Sequence, residues 1–439
     1  MENIDKIKYK SLREKSILID KYLIPQELEK KSNAEVSTPY ELRKEMLDKI
    51  PLKFWTKKRK VFEPCSGKGG FIVDIINRFM EGLDIEDEKD RYKVIVEECL
   101  YFSDINPTNI FICKLLIDPY NEYELNYNEG DTLKLDIKEK WDIEGFDAVI
   151  GNPPYQAPSN FIKNSKILWD KFTKKSINEW IKFKGYLLFI HPSGWRKPYN
   201  ELLKNLLKYQ IIYLKIFNDI EGNKLFNCST RIDYYLLQLV PCYKTTTIYF
   251  ENNEKHIVNL INNFGFIPNY GYKIYEKILL KLKNGIITEI SSKLGTSNKN
   301  VSTIKNNIFK YPLFNSNSKK NGLNIRYSKI EHFNQKLKKV IFSNGRYIYP
   351  IYDNGILGTT QGGIYILVKN ESEGNNLIKF LNSSLIKFII KSSKWSNFET
   401  NKEIFKYIEF PKLKSYSDDE IYNFFNISEK EIIYINNFI

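Results

Sequence analysis

Four short apolar segments, each closed by a glycine turn or an acidic side chain, with helical spacing after the first two, restrict this chain to an α/β architecture more firmly than anything else in it. A strand is expected over Lys60–Glu63, a helix from Gly70 to about Glu81, a strand over Leu100–Ser103 and a helix from Pro107 to about Ile117. That order implies a parallel sheet with helices on both faces. Further strands are expected at Tyr123–Tyr127, Phe146–Ile150, Gly185–Ile190 and Ile211–Ile216, with Tyr234–Val240 closing a seven-stranded, Rossmann-like sheet. Helical spacing recurs over Asn160–Ile181 and Asn200–Tyr209, and the charged stretch Glu81–Lys93 reads as a loop insertion.

After about residue 250 the pattern changes to short segments broken by Asn, Ser and Gly, with turn signals at Ser343-Asn344-Gly345 and Asp353-Asn354-Gly355. A length of 439 residues allows two cores, so two domains are expected, 1–250 and 251–439, the second of mixed α+β character. The net charge of +14 is unevenly placed: residues 1–250 hold 40 Lys and Arg against 37 Asp and Glu, and residues 251–439 hold 27 against 16. Within 251–350 the ratio is 17 to 5, interleaved with Tyr, Phe and Asn, a composition suited to following phosphates; a solvated lysine-rich face is the plain alternative. Five scattered cysteines, Cys65, Cys99, Cys113, Cys228 and Cys242, fit small buried side chains in a reducing compartment, and no zinc-type spacing calls for a metal. The acidic start carries no secretory pattern and no apolar run is long enough for a membrane span, so a cytoplasmic, intracellular location without a membrane partner is expected.

Chemistry concentrates where the strands end. Glu63-Pro64-Cys65-Ser66-Gly67-Lys68-Gly69-Gly70 joins the first strand to a helix, a turn whose backbone can approach a ligand closely. It lacks Gly-x-Gly-x-x-Gly and the Gly-Lys-Ser/Thr ending, and the next acidic strand end, Asp104, follows about 40 residues on instead of the ~20 of a nicotinamide site. Asp104 can accept from a ribose diol, Ile105 can lie on a purine, and Asp131 after Gly130 can take an exocyclic amine; a helix cap is the competing reading of Asp104. The fourth strand ends in Gly151-Asn152-Pro153-Pro154-Tyr155. An aromatic amine is a poor nucleophile because its lone pair is delocalised, and two acceptors on its hydrogens, the Asn152 amide oxygen and the Pro153 carbonyl, make that pair available. The prolines fix the turn and Tyr155 offers a stacking face.

Taken together these motifs resemble the S-adenosylmethionine-dependent adenine-N6 DNA methyltransferases of restriction-modification type with the gamma motif order, in which a Thr-Pro segment precedes the glycine turn, Asn-Pro-Pro-Tyr follows, and a target-recognition domain comes last. Here Glu35-Val36-Ser37-Thr38-Pro39-Tyr40 leads into a helix expected over Glu41–Ile50. The resemblance implies that Thr38 and Pro39 touch the methionine end of the cofactor, that Glu63, Ser66, Gly67 and Gly69 line its amino acid part, that Asp104 and Ile105 hold ribose and adenine, that Asp131 binds the adenine amine, and that Asn152 faces both cofactor and target. It also extends through Gly185–Pro192 and Trp195, and implies a second aromatic on the flipped base, for which Phe226 is the candidate and Phe217 its competitor. Phe380–Leu385, Ser393-Lys394-Trp395 and Phe410–Leu413 resemble restriction-modification recognition domains. Lys68 departs from the small residues common in the family's turn.

The implied activity is binding of double-stranded DNA through the basic target-recognition domain, base flipping of one adenine, and methyl transfer to its N6 from S-adenosylmethionine, with no metal required. The stretch before Thr38 is short for a nuclease, so any cognate restriction endonuclease is expected to be a separate chain; the oligomeric state stays open, with a monomer favoured. Two rivals stand beside this reading: an S-adenosylmethionine-dependent methyltransferase of RNA adenine or protein glutamine, and a non-enzymatic DNA-binding protein with a dead methyltransferase fold. A host, a viral and a plasmid role all fit this reading.

Overall fold

The computed structural model of the chain describes residues 2–25, 36–156, 167–227, 230–260, 264–290, 294–295, 299–345, 348–396 and 400–439. The chain divides into two compact units, Met1–Trp195 with Asn200–Asn263, and Arg196–Tyr199 with Phe264–Ile439. The first is built on one mixed sheet: β1 (Val61–Glu63), β2 (Leu100–Asp104), β3 (Asn126–Glu129), β4 (Phe146–Gly151), β5 (Ile181–Pro192), β6 (Tyr209–Phe217), β7 (Ile232–Pro241), β8 (Thr246–Tyr249) and β9 (Lys255–Val258), in the order β3-β2-β1-β4-β5-β7-β6-β8-β9. β1 pairs in parallel with β2 and β4, β2 with β3, and β4 with β5, while β7 runs antiparallel between β5 and β6. Every residue of β1, β2 and β4 is buried, as central parallel strands must be.

Helices make the crossovers that parallel pairing requires. The helix Gly70–Gly82 starts from Gly69, whose φ of +84° suits glycine, and buries Phe71, Ile72, Val73, Ile75, Ile76 and Phe79. The helix Pro107–Ile117 has proline in its first turn and the Asn106 side chain accepting from the Thr108 amide. These faces and the strands form one apolar core that includes Phe102, Leu116, Ile150 and Ile190.

Several expectations are corrected. The sheet has nine strands among the described residues, not seven, because β8 and β9 extend it beyond β6. For the same reason the first unit runs past the expected boundary at residue 250 to Asn263, and lends Arg196–Tyr199 to the second. The stretch Glu81–Lys93 is not all loop: Glu88–Val94 is a helix capped by Asp87, with no buried residue and hence no apolar period to reveal it. The third strand lies at Asn126–Glu129, later than expected, and the helical spacing of 160–181 resolves into the helix Trp169–Lys175 and a π turn Ser176–Trp180. Glu35 and the start of that helical stretch lie outside the described residues.

The second unit is mixed α+β. One four-stranded sheet has the order β10-β17-β14-β15 and another β11-β13-β12-β16, with β10 Glu289–Ile290, β11 Val301–Ser302, β12 Tyr311–Ser318, β13 Gly322–Ser328, β14 Lys338–Ser343, β15 Ile351–Asn354, β16 Gly358–Thr359 and β17 Gly363–Leu367. Helices Tyr272–Leu280, Glu371–Leu381, Ser384–Ser392, Asp418–Phe424 and Glu429–Phe438 complete it. The motif residues Phe380, Leu381, Leu385 and Trp395 are buried here, and the Trp395 indole donates to the Ile267 carbonyl at 2.8 Å.

A buried charge ties the N-terminal helices of the first unit to the helix Gly70–Gly82. Arg43, on the helix Tyr40–Leu47, is 2% exposed and donates from Nε to Asp74 Oδ2 at 2.6 Å, from Nη1 to Asp20 Oδ1 at 2.8 Å and to the Thr38 carbonyl at 2.5 Å, and from Nη2 to the Ser16 carbonyl at 2.9 Å. Ser16 Oγ bonds Asp74 in turn. Gly70 is required beside it, since a Cβ there would lie 2.8 Å from Arg43 Cζ. Arg43→Ala strands two carboxylates and is expected to lower the unfolding free energy of the first unit by about 3–5 kcal/mol, read from urea denaturation; a loss below about 1 kcal/mol contradicts this role.

Candidate functional site

The carboxyl ends of β1 to β4 open into a cavity of about 460 Å³, the size of a small-ligand pocket. Its lining draws together Thr38, Glu63, Ser66, Gly67, Asp104, Ile105, Asp131, Asn152, Pro153, Pro154 and Tyr155, eleven of the residues singled out in the sequence from five separate segments. Pro39 and Gly69 are outside the lining: Pro39 caps the helix Tyr40–Leu47, and Gly69 turns the chain into Gly70–Gly82 so closely over Cys113 that a Cβ would sit 3.2 Å from its Sγ. Sequence reasoning missed Arg43, Leu168, Lys171 and Phe172, which also line the cavity. The last three sit on or beside the helix Trp169–Lys175, where spacing alone announces a helix but not the side it presents.

Backbone and carboxylate bonds hold the turn open. The Ser66 amide donates to the Ser103 carbonyl at 3.0 Å, and the Gly67 amide, at φ +50°, donates to Asp104 Oδ2 at 2.8 Å. Asp104 Oδ1 accepts from the Asn106 amide at 2.8 Å and from Asn109 Nδ2 at 3.3 Å, so Asp104 braces two loops, and Asn106 rather than Asp104 caps the next helix. Asp131 Oδ1 accepts from the Leu133 amide at 3.1 Å.

Three oxygens of this cavity are buried without a hydrogen-bond partner among the described residues: Glu63 Oε2, Thr38 Oγ1 and Asn152 Oδ1. Buried polar atoms are rarely left so, and three acceptors in one cavity describe a place for a donor-rich ligand. Burial pushes the Glu63 carboxyl well above the usual range, against the pull of nearby Arg43, and the Asp104 and Asp74 charges push it further. Asp104 is raised by the same burial, opposed by the Asn106 and Gly67 amides and by the charge of Lys68, which lies in the cavity wall. At Asn152 the side-chain amide donates from Nδ2 to the Val36 carbonyl at 3.1 Å, which fixes which end of the amide is Oδ1. Cys65 Sγ donates to the Asn152 carbonyl at 3.4 Å, and burial first, then Glu63, raises the thiol.

One expectation fails. Phe226 is 7% exposed, packs in the apolar core and is absent from the cavity wall; Phe217 is likewise core. An aromatic at the end of a short amphipathic helix is held there by packing. His191 is a core residue too: it stacks on Trp169 at 4.5 Å, meets the Tyr235 hydroxyl at 3.1 Å, and burial pulls its pKa down to about 4.

Residues 98–226, which carry β2 to the end of the helix Asp219–Phe226, match the Eco57I restriction-modification methylase family. No curated protein matches the chain. Among solved structures, a modification subunit of a putative type I restriction enzyme from Vibrio vulnificus is similar over 55% of this chain and 52% of its own, at 14% identity and a TM-score of 0.42. A putative class I S-adenosylmethionine-dependent methyltransferase from Listeria monocytogenes is similar over 55% of this chain and 74% of its own, at 14% identity and a TM-score of 0.40. The type IIL restriction-modification enzyme MmeI, solved with DNA, is similar over 94% of this chain and 67% of its own, at 12% identity and a TM-score of 0.49. The chain thus spans about half the length of the Vibrio subunit. The resemblance to restriction-modification DNA methyltransferases that the motifs carry is found again in the family match, and S-adenosylmethionine is the cofactor to which both point.

A carboxyl whose pKa is raised on folding binds more protons in the folded than in the unfolded chain, so the stability it contributes is full below the unfolded value and is lost as pH rises through the folded one. Glu63→Gln removes that loss. In the ligand-free protein the melting temperature of Glu63→Gln relative to the unaltered chain is therefore expected to rise between pH 5 and pH 8 in calorimetry; a difference that is flat or falls contradicts the buried, raised carboxyl.

Proposed function

We propose that the chain is a DNA adenine-N6 methyltransferase of restriction-modification type, with catalysis in the first unit, 1–250 extended through β9, and target recognition in the basic second unit. The observation that carries the reading is the orientation of Asn152: its nitrogen is engaged by the Val36 carbonyl, and its oxygen is left buried and unpartnered in a cavity that also holds Glu63 and Asp104. An acceptor so presented suits an amine with hydrogens to donate.

The cavity fits S-adenosylmethionine. Glu63 would take the ammonium of its amino acid part, which offsets the cost of ionising a buried carboxyl, with the Thr38 hydroxyl beside it. Asp104, whose Oδ2 keeps a lone pair beyond its bond to Gly67 while Oδ1 is engaged by Asn106 and Asn109, would hold the ribose diol, while exposed Ile105 lies against the adenine and Asp131 takes its amine. Bound there, the cofactor supplies a methyl group made electrophilic by its positive sulfur. Asn152 Oδ1 and the Pro153 carbonyl accept the two hydrogens of the target N6 amine, turning its lone pair out of conjugation. Pro153 and Pro154 hold that pair of acceptors without conformational loss, and Tyr155 stacks on a base flipped out of the duplex. The proton leaves after transfer, so no side chain need act as a strong base.

Asn152→Ala is expected to lower methyl transfer to duplex DNA by about 10²–10³-fold in kcat, the scale of losing one preorganised hydrogen-bond partner, with DNA affinity unchanged. Single-molecule sequencing of DNA from cells expressing either form is the check: a methylated adenine in one short motif, absent with Asn152→Ala, is expected, and modification that survives the substitution overturns the assignment.

A further inference from the structure

The second unit gathers exposed apolar side chains where its two sheets exchange strands. Tyr311 of β12 pairs with Ser328 of β13, and Lys338 of β14 pairs with Asn354 of β15, so the segment 329–337 carries the chain from one sheet to the other and 355–357 carries it back beside it. These crossings present Phe333 at 71% exposure, with Ile330 and Ile356 each at 66%. Large apolar groups held in water mark a contact surface when they cluster.

They are also held rigidly from beneath. Buried Lys339 donates to Asp353 Oδ2 and to the Asn334 carbonyl, each at 2.7 Å, Asn334 Nδ2 donates to Thr359 Oγ1 at 2.6 Å, and Gln335 Nε2 donates to the Ile356 carbonyl at 3.1 Å. The Lys336 amide joins the Gly355 carbonyl at 2.9 Å. Phe333 therefore stands on a fixed base, and its ring lies 4.4 Å from that of His332. Binding through such a tip costs little conformational freedom.

Charge selects the occupant. Exposed Lys329 and Lys338 flank the tip with their charges unneutralised by any acid among the described residues of the tip, Lys336 is ion-paired with Glu331 at 3.0 Å, and Glu331 is the first acidic residue in the chain after Glu289. A second copy of this surface would bring lysines against lysines, whereas a polyanion with flat apolar faces inside it matches both features. We propose that Phe333 is a wedge that enters duplex DNA and stacks on a base step, with Lys329 and Lys338 on the adjoining phosphates. The inference rests on the DNA reading given above.

The test is fluorescence anisotropy of the full chain with an end-labelled random-sequence duplex over a series of salt concentrations. Phe333→Ala is expected to weaken binding about tenfold or more without changing the salt slope, as removal of a stacking ring does, and Phe333→Trp is expected to restore it. Replacing Lys329 and Lys338 by alanine is expected to flatten the slope by roughly 0.9 for each phosphate no longer neutralised. Phe333 is exposed, so its variants should melt with the unaltered chain in circular dichroism. Equal affinity of Phe333→Ala and the unaltered chain overturns the wedge while the DNA reading stands; a Phe333→Ala chain that instead changes its sedimenting mass makes the patch an interface between chains and overturns the wedge as well. An unaltered chain that binds no duplex overturns both readings.

Discussion

The site exists because β1 lies between β2 and β4 in parallel register. Val61 pairs with both Leu100 and Ala148, and Asp104 pairs with Glu129, so four strands release their chains at one edge within a few residues of each other. What would be an edge of unpaired backbone is closed by short bonds between successive turns: Ser66 to Ser103, Gly67 to Asp104, Gly130 to Asp104. Residues about 40 to 90 apart in sequence become walls of one cavity without any of them needing a long side chain. The helix that follows each strand is then fixed in place, and Arg43 binds the segment before the sheet to the first of those helices.

Electrostatics at that edge are held against a cost. Glu63, Asp104 and Asp74 are all buried acids raised by desolvation, and Arg43 and Lys68 are the nearby cations that lower them. A core of apolar residues would be more stable. Retaining unpartnered acceptors inside a roomy cavity instead leaves polarity unsatisfied in the folded chain, as a preorganised binding site does and a packed core does not. The second unit treats charge differently, burying the Lys339 and Asp353 pair as a brace and leaving Lys329, Lys336 and Lys338 in water.

What was legible in the sequence was what chain neighbours decide. The glycine turn, Asp104 after β2 and Gly151-Asn152-Pro153-Pro154-Tyr155 after β4 each depend on a strand and the few residues behind it, and each contributes to the cavity wall. Long-range pairing was not legible in the same way. Strands β8 and β9 are four residues each, too short for alternation to separate them from loop, and only the pairing of β8 with β6 and of β9 with β8 makes them part of the sheet. The helix Glu88–Val94 buries no residue fully and leans on the core only through Tyr92 and Val94. Arg43 looked like one charge of an ordinary surface helix, since its partners Asp20, Asp74 and Ser16 lie on other elements. Phe226 failed because an aromatic that packs and one that stacks on a ligand have the same local pattern, and the neighbours that distinguish them come from distant strands.

The central claim is that the Asn152 oxygen receives the amine of an adenine in DNA. The direct measurement is mass spectrometry of nucleosides from duplex DNA incubated with the purified chain and S-adenosylmethionine. N6-methyldeoxyadenosine as the sole methylated product is the expected result. A product methylated on cytosine, or DNA left unmodified under conditions where the cofactor binds, contradicts it.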